Sequence, residues 1–224
     1  MVKRGLTIGT YDTAATGRWT LTGWEFSPAE QYTNFVDVPG RKKGPLDLST
    51  ALTDGDPYYR NRTLTATFES SEGNRLDREA RINTMINSLD GYTHEITLPD
   101  DREHHIVGRV HIQRLYNDSA HASVVLTAVC EPWRYNNTPT RVELVAEATA
   151  KITTLPNLGR MAAAPVLTVT GTEAVIEYGG SSWALSPGTY TVHTVPDLFI
   201  PAGGLTIKYR GAGGLIFDYR EAVL

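Results

Sequence analysis

Six consecutive residues, Asp100-Asp101-Arg102-Glu103-His104-His105, form the densest group of side chains able to do chemistry in this chain. Carboxylates beside imidazoles can hold a divalent metal or move protons. The spacing argues against both. Neighbours in a strand point to opposite faces, so His104 and His105 do not share one ion. The run also separates HEITLP from HIVGRVHI, two segments that read as the arms of a β-hairpin, which makes it a polar hairpin tip. A hydrolase built on Asp100, Asp101 or Glu103 needs partner groups at useful spacing, and none stand there.

The remaining reactive side chains are scattered. His111 and Gln113 fall on the polar face of a strand, and His121 and His193 are isolated. The single cysteine, Cys130, sits in the apolar run ASVVLTAVC and reads as a buried small hydrophobe. One thiol forms no internal disulfide and no structural zinc site. GGSSWALSPG does not match the nucleophile pattern G-x-S-x-G, and the chain has no G-x-x-x-x-G-K-[ST] phosphate loop. These readings leave no catalytic residue, no metal ligand set and no cofactor.

Composition narrows the classes further. A net charge of −4 with Lys and Arg dispersed does not fit a nucleic-acid binder, which needs a clustered basic surface. The densest basic run is Arg41-Lys42-Lys43. MVKRGLTIGTYDT lacks the apolar core of a signal peptide, and no stretch approaches bilayer-spanning length. The expectation is a protein folded in the cytoplasm, unless it leaves as part of a larger particle.

Alternation with period two dominates the chain. RTLTATFE puts Leu64, Ala66 and Phe68 on one face and Thr63, Thr65 and Thr67 on the other. HIVGRVHIQRL turns Ile106, Val110 and Ile112 inward, and ASVVLTAVC, apolar on both faces, reads as a central strand. RVELVAEATAKI alternates throughout, which predicts one strand with Val142, Leu144, Ala146, Ala148, Ala150 and Ile152 on a single side. One segment follows another period: Ile82, Met85, Ile86 and Leu89 predict an amphipathic helix over Arg75 to Leu89, capped by Asn74 and followed by Gly91.

A boundary falls at EPWRYNNTPT, where Pro132 and Pro139 bracket an Asn-Asn pair. Beyond it, APVLTVTG, EAVIEYGG, SSWALSPGTYTVHTV, AGGLTIKYRGAGG and LIFDYREAV predict separate short strands joined by Gly and Pro turns. The prediction is a mainly β protein of two domains. Residues 1–138 form a β-sandwich with one packed α-helix and a β-hairpin, and residues 139–224 form a small antiparallel β-sandwich.

The stretch from Val36 to Phe68 carries no catalytic pattern. Val38-Pro39-Gly40 ends a strand, and Gly44-Pro45 closes a loop that presents Arg41, Lys42 and Lys43. Leu46 and Leu48 are expected to anchor PLDLSTAL to a core, and Tyr58 and Tyr59 lead into the strand. Tyrosines of this kind, apolar in body and polar at the tip, suit an interface. By composition alone a solvated loop accounts for the stretch as well.

Taken in order, GRWTLTGWEFSPAE, VPGRKKGPLDLS, ALTDGDPYYRNRTLTATFE, the helix, the hairpin, CEPWRY and the closing GGLTIKYRGAGGLIFDYREAVL resemble the distal tail protein (Dit) family of bacteriophages with long, non-contractile tails. The resemblance implies a structural virion protein at the distal end of the tail, assembled in the host cytoplasm. It implies a ring, a hexamer in the family, formed through the N-terminal domains. That ring joins the tail tube protein to the tip or baseplate proteins and the receptor-binding protein. It also implies that the C-terminal sandwich is galectin-like. A ring needs heterologous contacts, in which one patch meets a different patch on the next subunit. Val38, Pro39, Gly40, Arg41, Lys42, Lys43, Tyr58, Tyr59 and Arg62 are the expected subunit contacts. Trp183 is the candidate contact for a ligand or partner, and a carbohydrate-binding module is the alternative function.

Overall fold

The computed structural model describes residues 5–40, 43–51 and 57–224. Arg41 and Lys42 lie outside the described residues. The chain divides into two compact units, Met1–Arg134 and Tyr135–Leu224. Both are mainly β, built from curled antiparallel sheets of the sandwich class.

The first unit contains β1 (Thr7–Ile8), β2 (Tyr11–Asp12), β3 (Thr20–Phe26), β4 (Phe35–Val36), β5 (Leu46–Asp47), β6 (Arg62–Ser70), α1 (Arg75–Leu89), β7 (Thr93–Thr97), β8 (His104–Asn117) and β9 (Ala122–Asn136). Its main sheet runs β2-β1-β7-β8-β9-β6-β3. The alternation read in β6 holds: Leu64, Ala66 and Phe68 are fully buried, while Thr63 and Thr65 face solvent. Ile106, Val110 and Ile112 of β8 are buried beside them, and β9 runs between β8 and β6. β9 is apolar on both faces, and one is covered more fully than the other. Val124, Leu126, Ala128 and Cys130 are buried, while Val129 is 55% exposed.

Helix α1 lies against this core. Asn74 Oδ1 accepts a hydrogen bond from the Asp77 backbone N–H, and an Asp77 carboxylate oxygen accepts one from Asn74 N–H, each at 3.0 Å. This reciprocal cap satisfies two of the amides that every helix start leaves without partners. Ile82, Met85 and Leu89 are buried and Ile86 packs against the same cluster, so the stripe read from spacing is the packed face. Each fully buried member contributes roughly 1.5–3 kcal/mol. One further residue shares that face. Arg78 is buried, its Nη1 donating to Gly73 O at 2.6 Å and its Nη2 to Asp118 O at 2.9 Å.

The second unit contains β10 (Thr140–Ala146), β11 (Lys151–Leu155), β12 (Val166–Tyr178), β13 (Ser181–Leu185), β14 (Gly188–Tyr190), β15 (Leu205–Tyr219) and β16 (Ala222–Val223). Two long strands organise it. β12 and β15 pair antiparallel from Val166↔Asp218 to Glu177↔Lys208. At one end β10 flanks β15 and β14 flanks β12. At the other, β11 flanks β15 and β13 flanks β12. Each long strand therefore belongs to two half-sheets and must bend between them.

The bend is written into the sequence as glycine. The register slips between Gly171 and Glu173, and Gly213 has φ 148 in the same region. A β-carbon at Gly213 would collide with the Thr170 carbonyl oxygen. Only glycine tolerates this combination of torsion and close approach. The half-sheets enclose Leu167, Val169, Ile176, Ile207, Leu215 and Phe217.

Three expectations change here, two of them through glycine. APVLTVTG with EAVIEYGG, and AGGLTIKYRGAGG with LIFDYREAV, are not pairs of separate strands; each pair is a single bent strand, because glycine bends the ladder without ending it. RVELVAEATAKI breaks in the opposite sense. It forms β10 and β11 with an interruption between them, and the buried positions change from even to odd numbers. Ile152, expected to point inward, is 72% exposed.

Candidate functional site

The acidic and histidine-rich run of the first unit lies where the hairpin reading puts it. Residues 98–103 connect β7 to β8, whose strands pair from Thr93↔Arg109 to Ile96↔Ile106. His104 and His105 turn apart. His104 Nδ1 lies 2.8 Å from an Asp101 carboxylate oxygen, while His105 is buried with Nε2 3.8 Å from a Glu95 oxygen. Arg134 Nη1 reaches the other Asp101 oxygen at 3.2 Å. Burial pushes the Asp101 carboxyl up. The hydrogen bond from His104 and the charges of His104 and Arg134 outweigh it, so the group sits below the ordinary carboxylate range. Asp100 and Glu103 are exposed. Among the described residues no group of three or more His, Cys, Asp or Glu is placed to hold a metal. Cys130 is buried, and burial pushes its thiol up to about 11, away from the reactive thiolate.

The stretch that follows β3 forms an arm. The chain leaves and returns side by side: Tyr32 N–H donates to Tyr58 O at 2.7 Å, Arg60 N–H donates to Glu30 O at 2.9 Å, and Gln31 bridges Tyr59. Side chains pin this base. Tyr32 and Tyr58 meet edge to face at 6.1 Å, the Arg60 guanidinium lies 5.3 Å from the Tyr32 ring, and Tyr59 packs on Trp133 at 5.4 Å. Beyond the base, among the described residues, β4 and β5 pair with each other alone, Phe35 opposite Asp47 and Val36 opposite Leu46. Ser49 Oγ accepts from Asn34 N–H at 2.8 Å, and Asp47 Oδ1 accepts from Ser49 N–H at 2.9 Å. The Ser49 hydrogen bonds hold the Asp47 carboxyl below its ordinary value.

The arm displays apolar surface to solvent. Phe35 is 60% exposed and Tyr58 55%, and Tyr32, Val36, Val38 and Leu46 are exposed with them. Leu46 was expected to anchor the stretch to a core; it lies in the outward hairpin instead, because its strand partner is Val36. Pro39, Gly40 and Lys43 are exposed at the turn. Tyr59 is half-buried at the base. Arg62 is committed inside the unit: it is buried, its Nε donates to Ser27 O at 2.7 Å, and its guanidinium covers the Phe26 ring at 3.7 Å. Tyr32, Phe35 and Val36 were missed as members of this surface. The available signal was their apolar type inside an otherwise polar connection.

In the second unit Trp183 is half-buried on β13 and stacks on Tyr178, with ring centroids 4.4 Å apart and planes at 17°. The Tyr178 hydroxyl donates to Pro196 O at 2.9 Å. The pair packs against the unit's core cluster.

No family model matches the chain, and no curated protein matches it. Among solved structures it is similar to the Dit protein (gp 19.1) of SPP1, described as a paradigm of the hub adsorption apparatus in phages that infect Gram-positive bacteria. The TM-score is 0.66 at 16% identity, and the match covers 98% of this chain and 99% of the other. The fold is that of SPP1 Dit. The match runs nearly end to end, across the residues of both units.

Proposed function

We propose that this chain is a structural component of a phage tail hub, placed at the distal end of the tail and acting through its surfaces. It carries out no catalysis. The observation that supports this best is the arm on a Dit-type fold. A two-stranded hairpin with outward-facing apolar side chains is at best marginally stable alone in water, and exposed apolar clusters mark interaction sites. A neighbouring copy supplies the missing cover. Copies related by rotation repeat that contact until a ring closes, and six copies is the number proposed. Val38, Pro39, Gly40, Lys43 and Tyr58 sit at the contact, with Tyr59 bracing its base; Arg41 and Lys42 belong to the same loop by sequence. The ring joins the tail tube protein to the tip protein, and the receptor-binding protein attaches to the same hub. Assembly takes place in the host cytoplasm, and the finished ring resides in the virion.

Light scattering on the purified chain over a concentration series tests the reading, since ring formation follows mass action. The expected result is a rise from monomer to one closed species, shifted to higher concentration when Arg41, Lys42 and Lys43 are replaced by Glu. A mass that stays monomeric at every concentration, with and without the tail tube protein, would refute it.

A further inference from the structure

The arm leaves the first unit at one flank of its sheet, and the other flank carries a notch. In the strand order β2-β1-β7-β8-β9-β6-β3, the arm joins β3 to β6 at one end, and β1 lies near the other. Beside β1, where β7 turns into β8, a notch of about 280 Å³ is lined by Gly5, Thr7, Thr97, Leu98, Pro99 and Arg102. Four strand spacings separate β6 from β1 in that order, about 19 Å along the sheet. Arm and notch lie at the same end of the strands. Arg62, at the start of β6, pairs with Cys130 on β9, and Arg134, a little further along β9, reaches Asp101 in the β7–β8 turn at 3.2 Å. Unlike patches at equal height on opposite flanks are what a head-to-tail contact needs.

The two surfaces also match in shape and charge. Opposed residues of an antiparallel pair share a face, so Phe35, 60% exposed, and the exposed Asp47 project together from one side of the arm. Hydrogen bonds from the Ser49 hydroxyl and amide hold that carboxyl below its ordinary value, so it is ionised at neutral pH. The notch has the counterparts. Leu98 and Pro99 give it an apolar wall, and the exposed Arg102 also lines it. Its volume falls just under the range of small-molecule pockets, which suits one protruding side chain. The same turn exposes Asp100 and Glu103, and the tip of the arm exposes Lys43, so opposite signs are available at a second point. A solvated hairpin turn accounts for the charged residues alone. It does not account for an apolar notch on one flank and an apolar knob on the other.

We propose that the notch between β1 and the β7–β8 turn receives Phe35 of a second copy of this chain, with Asp47 of that copy on Arg102. The inference rests on the ring reading and names the surface that the arm contacts. Phe35 stays exposed within its own chain, so the arm does not fill its own notch. Each copy gives with one flank and receives with the other, so the contact repeats from copy to copy.

Light scattering of the full chain over a concentration series gives the midpoint of assembly. Asp47→Arg and Arg102→Glu each bring like charges together and are expected to raise that midpoint at least about tenfold. The double variant restores an opposite pair and is expected to recover most of the loss. Phe35→Ser is expected to raise the midpoint about tenfold as well. All three side chains are exposed, so melting curves should match the unaltered chain. A direct test mixes a chain carrying Phe35→Cys with one carrying Pro99→Cys under mild oxidation. A disulfide between the two chains is expected, and the buried Cys130 stays out of it. If the unaltered chain assembles, the variants assemble equally and no cross-link forms, the proposal is overturned and the ring stands. If the single variants fail without rescue and no cross-link forms, the pairing of Asp47 with Arg102 is overturned while the ring stands. If the unaltered chain stays monomeric at every concentration, with and without the tail tube protein, the ring reading falls and this contact falls with it.

Discussion

Gly108 packs directly against the sulfur of Cys130: a β-carbon at position 108 would stand 2.5 Å from Sγ, 3.2 Å from the Val129 carbonyl oxygen and 3.3 Å from the Cys130 α-carbon. The two residues lie on β8 and β9, neighbours at the centre of the first unit's sheet. Gly108→Ala is therefore expected to cost about 1–3 kcal/mol by overpacking. Removing the sulfur relieves the tightest of the three contacts. The double variant Gly108→Ala with Cys130→Ala should lose less stability than the sum of the single variants, by at least about 0.5 kcal/mol. Urea unfolding of the four proteins measures this, and strict additivity would show that the contact carries no strain.

The same burial controls Cys130 chemistry. Its thiol is raised from an ordinary value of 9.0 to about 11, by burial first. A disulfide-exchange reagent should barely label the folded chain near neutral pH and should label the urea-unfolded chain rapidly. Below pH 9 the thiol is protonated in both states, so its full contribution to stability is present. As pH rises from 9 towards 11 the unfolded chain ionises first and stability falls. Burial also raises Tyr178 and Tyr219 from 10.0 to about 12, which extends the loss in the same direction over the next interval. Melting temperature should decline above pH 9, and Cys130→Ala should flatten the first part of the decline.

Much of the fold was legible because it rests on local rules. Asn74, the 82-85-86-89 stripe and Gly91 mark the helix without reference to any distant residue. Inward alternation in β6 and β8 is likewise local. The bent strands were not legible: a glycine inside a strand pattern ends it or bends it depending on what the partner strand does. Gly171 and Gly213 bend because β12 and β15 bend together. At the candidate site, the Val38–Gly40 segment and Tyr58 are exposed. Arg62 is buried, and its commitment to Ser27 and Phe26 depends on a neighbour 35 residues away. Whether Phe35 and Leu46 face a core or solvent is likewise fixed by tertiary pairing, which composition does not carry.

Arg78 shows the same limit inside the helix. A charged residue on an apolar stripe reads as an interruption, yet here it joins the carbonyl before α1 to the carbonyl at the turn between β8 and β9. Arg78→Ala would leave Gly73 O and Asp118 O without this donor and open a cavity. The expected loss is about 2–4 kcal/mol. Arg78→Lys should recover only part of it, because one ammonium does not reproduce the two-pronged geometry. Thermal unfolding of the two variants checks the prediction, and a loss below about 1 kcal/mol for the alanine variant would show that the two carbonyls find other partners.

The arm stands apart from the first unit's core. Its base is closed by the Tyr32–Tyr58 hydrogen bond, and none of Phe35, Val36, Val38 or Leu46 belongs to the first unit's core cluster. The ends at 32 and 58 are already adjacent, so a short Gly-Ser linker can replace residues 33–57 with little closure entropy. The trimmed chain should fold as before, its melting temperature changed by no more than about 2 °C. If the arm carries the contact between copies, light scattering should find the trimmed chain monomeric at concentrations where the intact chain assembles. Assembly equal to that of the intact chain would move the contact elsewhere on the unit. A large fall in melting temperature would instead make the arm part of the fold, held by contacts that its exposed side chains do not reveal.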